Sequence, residues 1–145
     1  MKCLREFIGN NKSIKHLTFV FGFPPKPQNY ILLLSSIYGL SDLSHLNIDT
    51  REEITSASLG IAFNQMPSIC SKLKSLRISD VLVGDQTSNQ RLIEELKKLK
   101  HLKRLDLTMS MTSDSNLTSI EEHFNECFKH LEGLTHLRLK FPDSH

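Results

Sequence analysis

Five short strings along the chain repeat one arrangement of apolar and polar positions. They are Ile14-Lys15-His16-Leu17-Thr18-Phe19, Leu43-Ser44-His45-Leu46-Asn47-Ile48, Leu73-Lys74-Ser75-Leu76-Arg77-Ile78, Leu102-Lys103-Arg104-Leu105-Asp106-Leu107 and Leu134-Thr135-His136-Leu137-Arg138-Leu139. Their first residues stand 29, 30, 29 and 32 positions apart. The last part of each string alternates apolar and other residues, the period of a strand buried on one face. One or two such strings would be unremarkable in a chain with 23 leucines among 145 residues, but five at near-constant spacing mark an internal repeat.

Between the strings, apolar residues recur at helical spacing. Residues 28–38 carry Ile31, Leu34 and Ile37, and residues 51–65 carry Ile54, Ala57 and Ile61. Residues 88–101 carry Leu92, Leu96 and Leu99, and residues 116–131 carry Ile120, Phe124, Phe128 and Leu131. Thr50 with Glu53, and Thr118 with Glu121, have the spacing of capping boxes at two of these helix starts. Residues 1–13, with Leu4, Phe7 and Ile8, predict a short N-terminal helix that covers the first repeat. Strand and helix alternating at equal intervals imply parallel strands joined by right-handed crossovers. The expected fold is therefore α/β, with about five strand-helix repeats of roughly 30 residues over a single domain, 1–145. Each unit buries its apolar face on its neighbours, as in a solenoid.

These strings, spaced about 29 residues apart with a helix in each unit, resemble the leucine-rich repeat family in its ribonuclease-inhibitor-like class. The resemblance spans residues 8–141 and implies a parallel sheet on a concave face. In one respect the chain departs from the family, which often places Asn or Cys eight positions after the first leucine to satisfy the turning backbone. Here those positions hold Gly22, Arg51, Val81, Ser110 and Pro142. The chain runs only to Phe141-Pro142-Asp143-Ser144-His145 after the fifth string, which reads as a last repeat without a covering helix: a fragment, or an edge that another chain covers.

Strand alternation sorts the outward residues into three rows. The first is His16, His45, Ser75, Arg104 and His136; the second is Thr18, Asn47, Arg77, Asp106 and Arg138; the third is Val20, Asp49, Ser79, Thr108 and Lys140. The resemblance makes this face the binding surface, with His45, Asn47, Arg77, Arg104, Asp106, Arg138 and Lys140 as its partner-binding residues. Asp106 stands between Arg77 and Arg138, placed to bridge both. Arg77, Arg104, Arg138 and Lys140 make the later repeats basic, whereas the first two repeats offer Asp49 and no Lys or Arg. The expected partner is a protein with an acidic patch. The resemblance also implies two narrower roles. One is substrate recognition in an F-box-type ubiquitin ligase adaptor, whose F-box helices should precede the repeats but do not fit in the thirteen residues before Ile14. The other is ligand sensing in a NOD-like immune receptor, which needs an upstream phosphate-binding loop.

Charge and composition narrow the remaining possibilities. The net charge of +2 is too small for a general nucleic-acid binder. The run Lys97-Lys98-Leu99-Lys100-His101-Leu102-Lys103-Arg104 is densely basic, but its leucines belong to the repeat, so it reads as a solvated face. Pro24-Pro25-Lys26-Pro27 reads as a stiff turn and Val83-Gly84-Asp85 as a plain one. No apolar run reaches the ~18 residues of a membrane span, and no signal peptide is evident. The expected setting is cytoplasmic and reducing, with the Asn11 and Asn116 sequons bare. Cys3, Cys70 and Cys127 have neither disulfide nor metal spacing. His16 and His45 share a row, but Asp49 is the only evident third ligand, so no metal is assigned. Cys127 follows His123 by one helical turn yet falls on the apolar side, where burial is expected. With no recognisable catalytic constellation, the chain reads as a non-enzyme without catalytic residues or cofactor.

Overall fold

One backbone device carries the chain into four of the strands. The computed structural model describes residues 2–21, 37, 40–50, 54–64, 72–83, 85–111 and 117–141. In it, the Asn11 N–H donates to the Ile8 carbonyl and the Ile14 N–H to the Asn11 carbonyl. The same pair of bonds links Ile37, Leu40 and Leu43, then Leu96, Leu99 and Leu102, then Phe128, Leu131 and Leu134. In the second and third of these, each three-residue step sets another apolar side chain against the interior, so Ile37, Leu40, Leu43, Leu96, Leu99 and Leu102 are all buried, whereas the first steps through half-buried Asn11. The carbonyl of the next residue then accepts two bonds from the following repeat. Lys15 accepts from Ser44 and His45, Ser44 from Lys74 and Ser75, Lys74 from Lys103 and Arg104, and Lys103 from Thr135 and His136, all at 2.8–3.0 Å.

The elements follow in chain order. Helix α1 is Lys2–Asn10, β1 is His16–Phe21, β2 is His45–Thr50, β3 is Ile54–Thr55 and α2 is Ser56–Asn64. Strand β4 is Ser75–Val83, α3 is Gln86–Lys97, β5 is Arg104–Met111, α4 is Leu117–His130 and β6 is His136–Lys140. The strands form an open parallel sheet in the order β1-β2-β4-β5-β6, with short β3 also paired to β4. The fold is thus α/β, a parallel sheet alternating with helices. Apart from buried Ile37, the helix expected over 28–38 lies outside the described residues.

The alternation of each string settles which face is core. Leu46, Ile48, Leu76, Ile78, Leu105 and Leu107 are all buried. Leu92 and Ile93 of α3 and Phe124 of α4 share apolar space with Leu107 and Met109. Polar pins join successive helices: the Ser56 hydroxyl donates to Asn89 Oδ1 at 2.9 Å, and Asn64 Nδ2 to Glu95 Oε1 at 3.0 Å. Helices α2 and α3 approach so closely that a Cβ on Gly60 would sit 3.3 Å from the Leu92 backbone nitrogen.

Three local expectations are corrected. Thr50 ends β2 rather than capping a helix, and residues 54–55 pair as a strand. The following helix starts at Ser56, where Thr55 Oγ1 accepts the Ser58 N–H at 3.1 Å as its cap. Asp85 is more than a turn residue, because its carboxylate accepts the Ser88 N–H at 2.8 Å and starts α3 two residues before the expected 88. Thr118 lies inside the first turn of α4, and its side chain is outside the described residues. The departure from the family's turn also has a visible counterpart. Val81 and Ser110 lie within strands and pair onward, Val81 with Met109 and Ser110 with Leu82. The chain therefore does not turn at those positions, and a register shift between Ile78 and Val81 absorbs the extra length. Gly22, Arg51 and Pro142 lie outside the described residues.

Equivalent leucines differ sharply in burial. Leu46, Leu76 and Leu105 are at most 1 % exposed, whereas Leu137 on β6 is 46 % exposed. Leu105→Ala is expected to lower stability by about 2–5 kcal/mol, through lost transfer energy and a residual cavity. Leu137→Ala should cost about 1 kcal/mol or less, as at other exposed positions. Urea denaturation of the two variants beside the parent checks the contrast.

Candidate functional site

Register brings the nominated residues together. His16, His45, Ser75, Arg104 and His136 stand opposite one another across β1, β2, β4, β5 and β6. Thr18, Asn47, Arg77, Asp106 and Arg138 do the same. The third row is broken. Val20 pairs with Asp49 and Thr108 with Lys140, but the register shift between Ile78 and Val81 falls across Ser79. Strand β2 leaves β4 after Ile48, and the register shift falls where Ser79 should meet Thr108. Lys140 thus adjoins the ordered rows at the β5–β6 end only.

The expected double bridge at Asp106 is half made. Arg77 Nε lies 3.9 Å from Asp106 Oδ2. Arg138 stands in register on the other side, yet no ion pair within 4.0 Å joins it to Asp106. Depth supplies the reason. The Asp106 side chain is only 7 % exposed, against 58 % for Arg77. A carboxylate on so short a stem stays near the backbone while the arginines extend above the sheet. The result is a face on which Arg77, Arg104, Arg138 and Lys140 are exposed and their one acidic neighbour in the ordered rows is sunk beneath them.

At the other end of the face the His16 and His45 rings stack, with centroids 4.0 Å apart and planes tilted by 35°. Ser44 Oγ lies 2.8 Å from His45 Nδ1 and 3.2 Å from the Lys15 carbonyl. With the hydroxyl proton on the carbonyl, Nδ1 is the donor and neutral His45 presents a bare Nε2. Thr135 repeats the arrangement with His136 and the Lys103 carbonyl. Partial burial holds the His45 pKa below its ordinary value, aided by the nearby His16 and Lys74 charges. A shallow depression of about 270 Å³ is lined here by His16, His45, Asn47, Ser75, Arg77 and Arg104. Asn47 Oδ1 is buried without a hydrogen-bond partner, a cost the surrounding packing has to offset. His16 and Ser75 were legible as row members but were not among the nominated binding residues.

The other sequence features separate cleanly. Cys127 is fully buried in α4, and burial pushes its thiol up to about 11. The side chains of Cys3 and Cys70, the prolines at 24, 25 and 27, and Asn116 lie outside the described residues. Among the described residues, no three His, Cys, Asp or Glu side chains converge to hold a metal, and no helix is long and apolar enough to cross a membrane. The basic run splits into two parts. Lys97 pairs with Glu94 and Lys98 with Glu95, each at 3.0 Å, while Lys100, His101, Lys103 and Arg104 are exposed. Lysine also recurs at the second position of three strings, as Lys15, Lys74 and Lys103, a pattern that lines the edge where the strands begin. No family model matches the chain, and no curated protein sequence matches it.

Two outcomes are expected. A histidine pKa lowered in the fold means that the unfolded chain binds the proton more readily. The contribution of His45 is therefore fully present above the unfolded value of 6.5 and declines as pH falls through and below it. Denaturation midpoints across this range should fall less steeply for His45→Gln than for the parent, and the His45 ring signals should titrate below 6.5 in an NMR series. Cys127, buried and with its thiolate disfavoured, should react with iodoacetamide at neutral pH far more slowly in the folded protein than in urea, as followed by mass spectrometry.

Proposed function

We propose that the protein is a non-catalytic interaction module that binds an acidic partner protein on the exposed face of its parallel sheet. The observation that carries this reading is the unbroken second row, Thr18–Asn47–Arg77–Asp106–Arg138, in register across five strands. At ~4.8 Å per strand, the row spans about 19 Å of fixed backbone. An open surface of this kind suits a macromolecule better than a small ligand, which needs an enclosing cavity. The exposed Arg77, Arg104, Arg138 and Lys140 favour carboxylates, and the arginines offer planar forks for bidentate recognition. His45 and Asn47 continue the surface across β2, and sunken Asp106 holds Arg77 without cancelling the exposed charge.

The repeat supports a finer assignment to a leucine-rich-repeat solenoid of the ribonuclease-inhibitor-like class, with this face as its concave side. The support is the spacing of the five strings and the identical backbone device at four strand starts. Charge complementarity governs association rate and salt dependence more than dissociation at such surfaces. In an affinity capture from source-cell lysate, Arg77→Glu/Arg138→Glu is expected to lose the partner that the parent chain retains, with circular dichroism unchanged. Against the purified partner, the same variant should associate about tenfold or more slowly at low salt. An unchanged partner list would move recognition away from this face.

A further inference from the structure

We propose that the edge where the strands begin is a second binding site, for a multiply phosphorylated anion. A depression of about 730 Å³ opens there, walled by Lys15, Lys72, Lys74, Lys103 and His101, with Asp42 as the one carboxylate among the described residues. All six side chains are exposed. Among the described residues, none of the four lysines forms an ion pair, in contrast to Lys97, Lys98 and Lys129 on the helices.

Backbone geometry concentrates this charge. Lys15, Lys74 and Lys103 supply the carbonyls that accept two bonds each at the strand starts, so their Cα positions are fixed. Lys74 and Lys103 occupy adjacent rungs, and Lys15 lies two rungs from Lys74, each rung being ~4.8 Å wide. The ammonium groups cannot separate by moving the main chain. Their mutual repulsion is relieved only by solvent, salt or a ligand carrying several negative charges within about 10 Å.

Side-chain chemistry selects phosphate. Ammonium groups act as point charges that meet tetrahedral phosphate oxygens from any direction, whereas planar carboxylates favour the arginine fork, and among the described residues no arginine lines the depression. Among the described residues its wall holds no Phe, Tyr or Trp on which a base would stack, which disfavours single-stranded nucleic acid. The depression shares no lining residue with the one on the sheet face, so the site stands independently of the sheet-face reading.

Inorganic tripolyphosphate is the probe, titrated calorimetrically into the full chain at low salt and again at about 0.15 M. Saturable 1:1 binding that weakens with salt is expected. Lys74→Glu/Lys103→Glu should raise Kd by about tenfold or more, Lys74→Gln/Lys103→Gln by less, and Lys129→Gln should leave it unchanged, all with parental circular dichroism. Sedimentation with phosphatidylcholine vesicles, with and without phosphatidylinositol bisphosphate, distinguishes the source. Vesicle binding competed by tripolyphosphate supports a lipid headgroup, and tripolyphosphate binding without vesicle binding supports a soluble phosphate. Absence of saturable binding would overturn the proposal. So would a Kd indifferent to the charge reversals, or equal binding of an oligoglutamate peptide or a DNA oligonucleotide of the same charge.

Discussion

The carbonyl that accepts two N–H groups at each strand start is the constraint on which the rest of the structure depends. It repeats at Lys15, Ser44, Lys74 and Lys103 with a spread of only 0.2 Å. By fixing where each strand begins, it fixes the register of every side chain that follows. A slip of one residue would turn Leu46, Leu76 and Leu105 outward and carry the polar rows inward. Hydrophobic burial therefore opposes such a slip. The double turn ahead of β1, β2, β5 and β6 and the shared carbonyls act in the same direction, since both fix the backbone where a strand begins.

The sheet face inherits its electrostatics from that register. Arg77, Asp106 and Arg138 align because Ser75, Arg104 and His136 align before them. Alignment alone does not produce a symmetrical ion-pair ladder. Side-chain length intervenes, so Asp106 sits low and approaches only Arg77. An exposed pair of this kind adds little stability, and a deep carboxylate with one distant partner adds less than its count suggests. Its effect is on orientation and on the balance of exposed charge.

The legible part of this fold was the part with a period. The strings at Leu43, Leu73, Leu102 and Leu134 revealed strand positions, core positions and the two inner rows, because alternation on a parallel sheet is a local rule. The failures occurred where a local rule met a tertiary one. Thr50 has the spacing of a helix cap, but pairing with Phe21 keeps it in β2. Val81 and Ser110 stand eight positions after the first residues of their strings, where the resemblance implied a turn, but the neighbouring strands accept them as further rungs. Asp85 looked like an ordinary turn residue, since only three dimensions show its carboxylate on the Ser88 amide. The lysine depression was beyond reach for another reason. It arises from side chains scattered over four repeats, and no window of sequence contains them.

Strand β6 carries a final consequence. Its outward side chains are His136, Arg138 and Lys140, all exposed, and Leu137 beside them is half-uncovered. A second copy adding antiparallel about Arg138 would set arginine against arginine and histidine against lysine. Like charges on the two strands would then face each other, so the side chains of β6 discourage that one pairing while leaving others open.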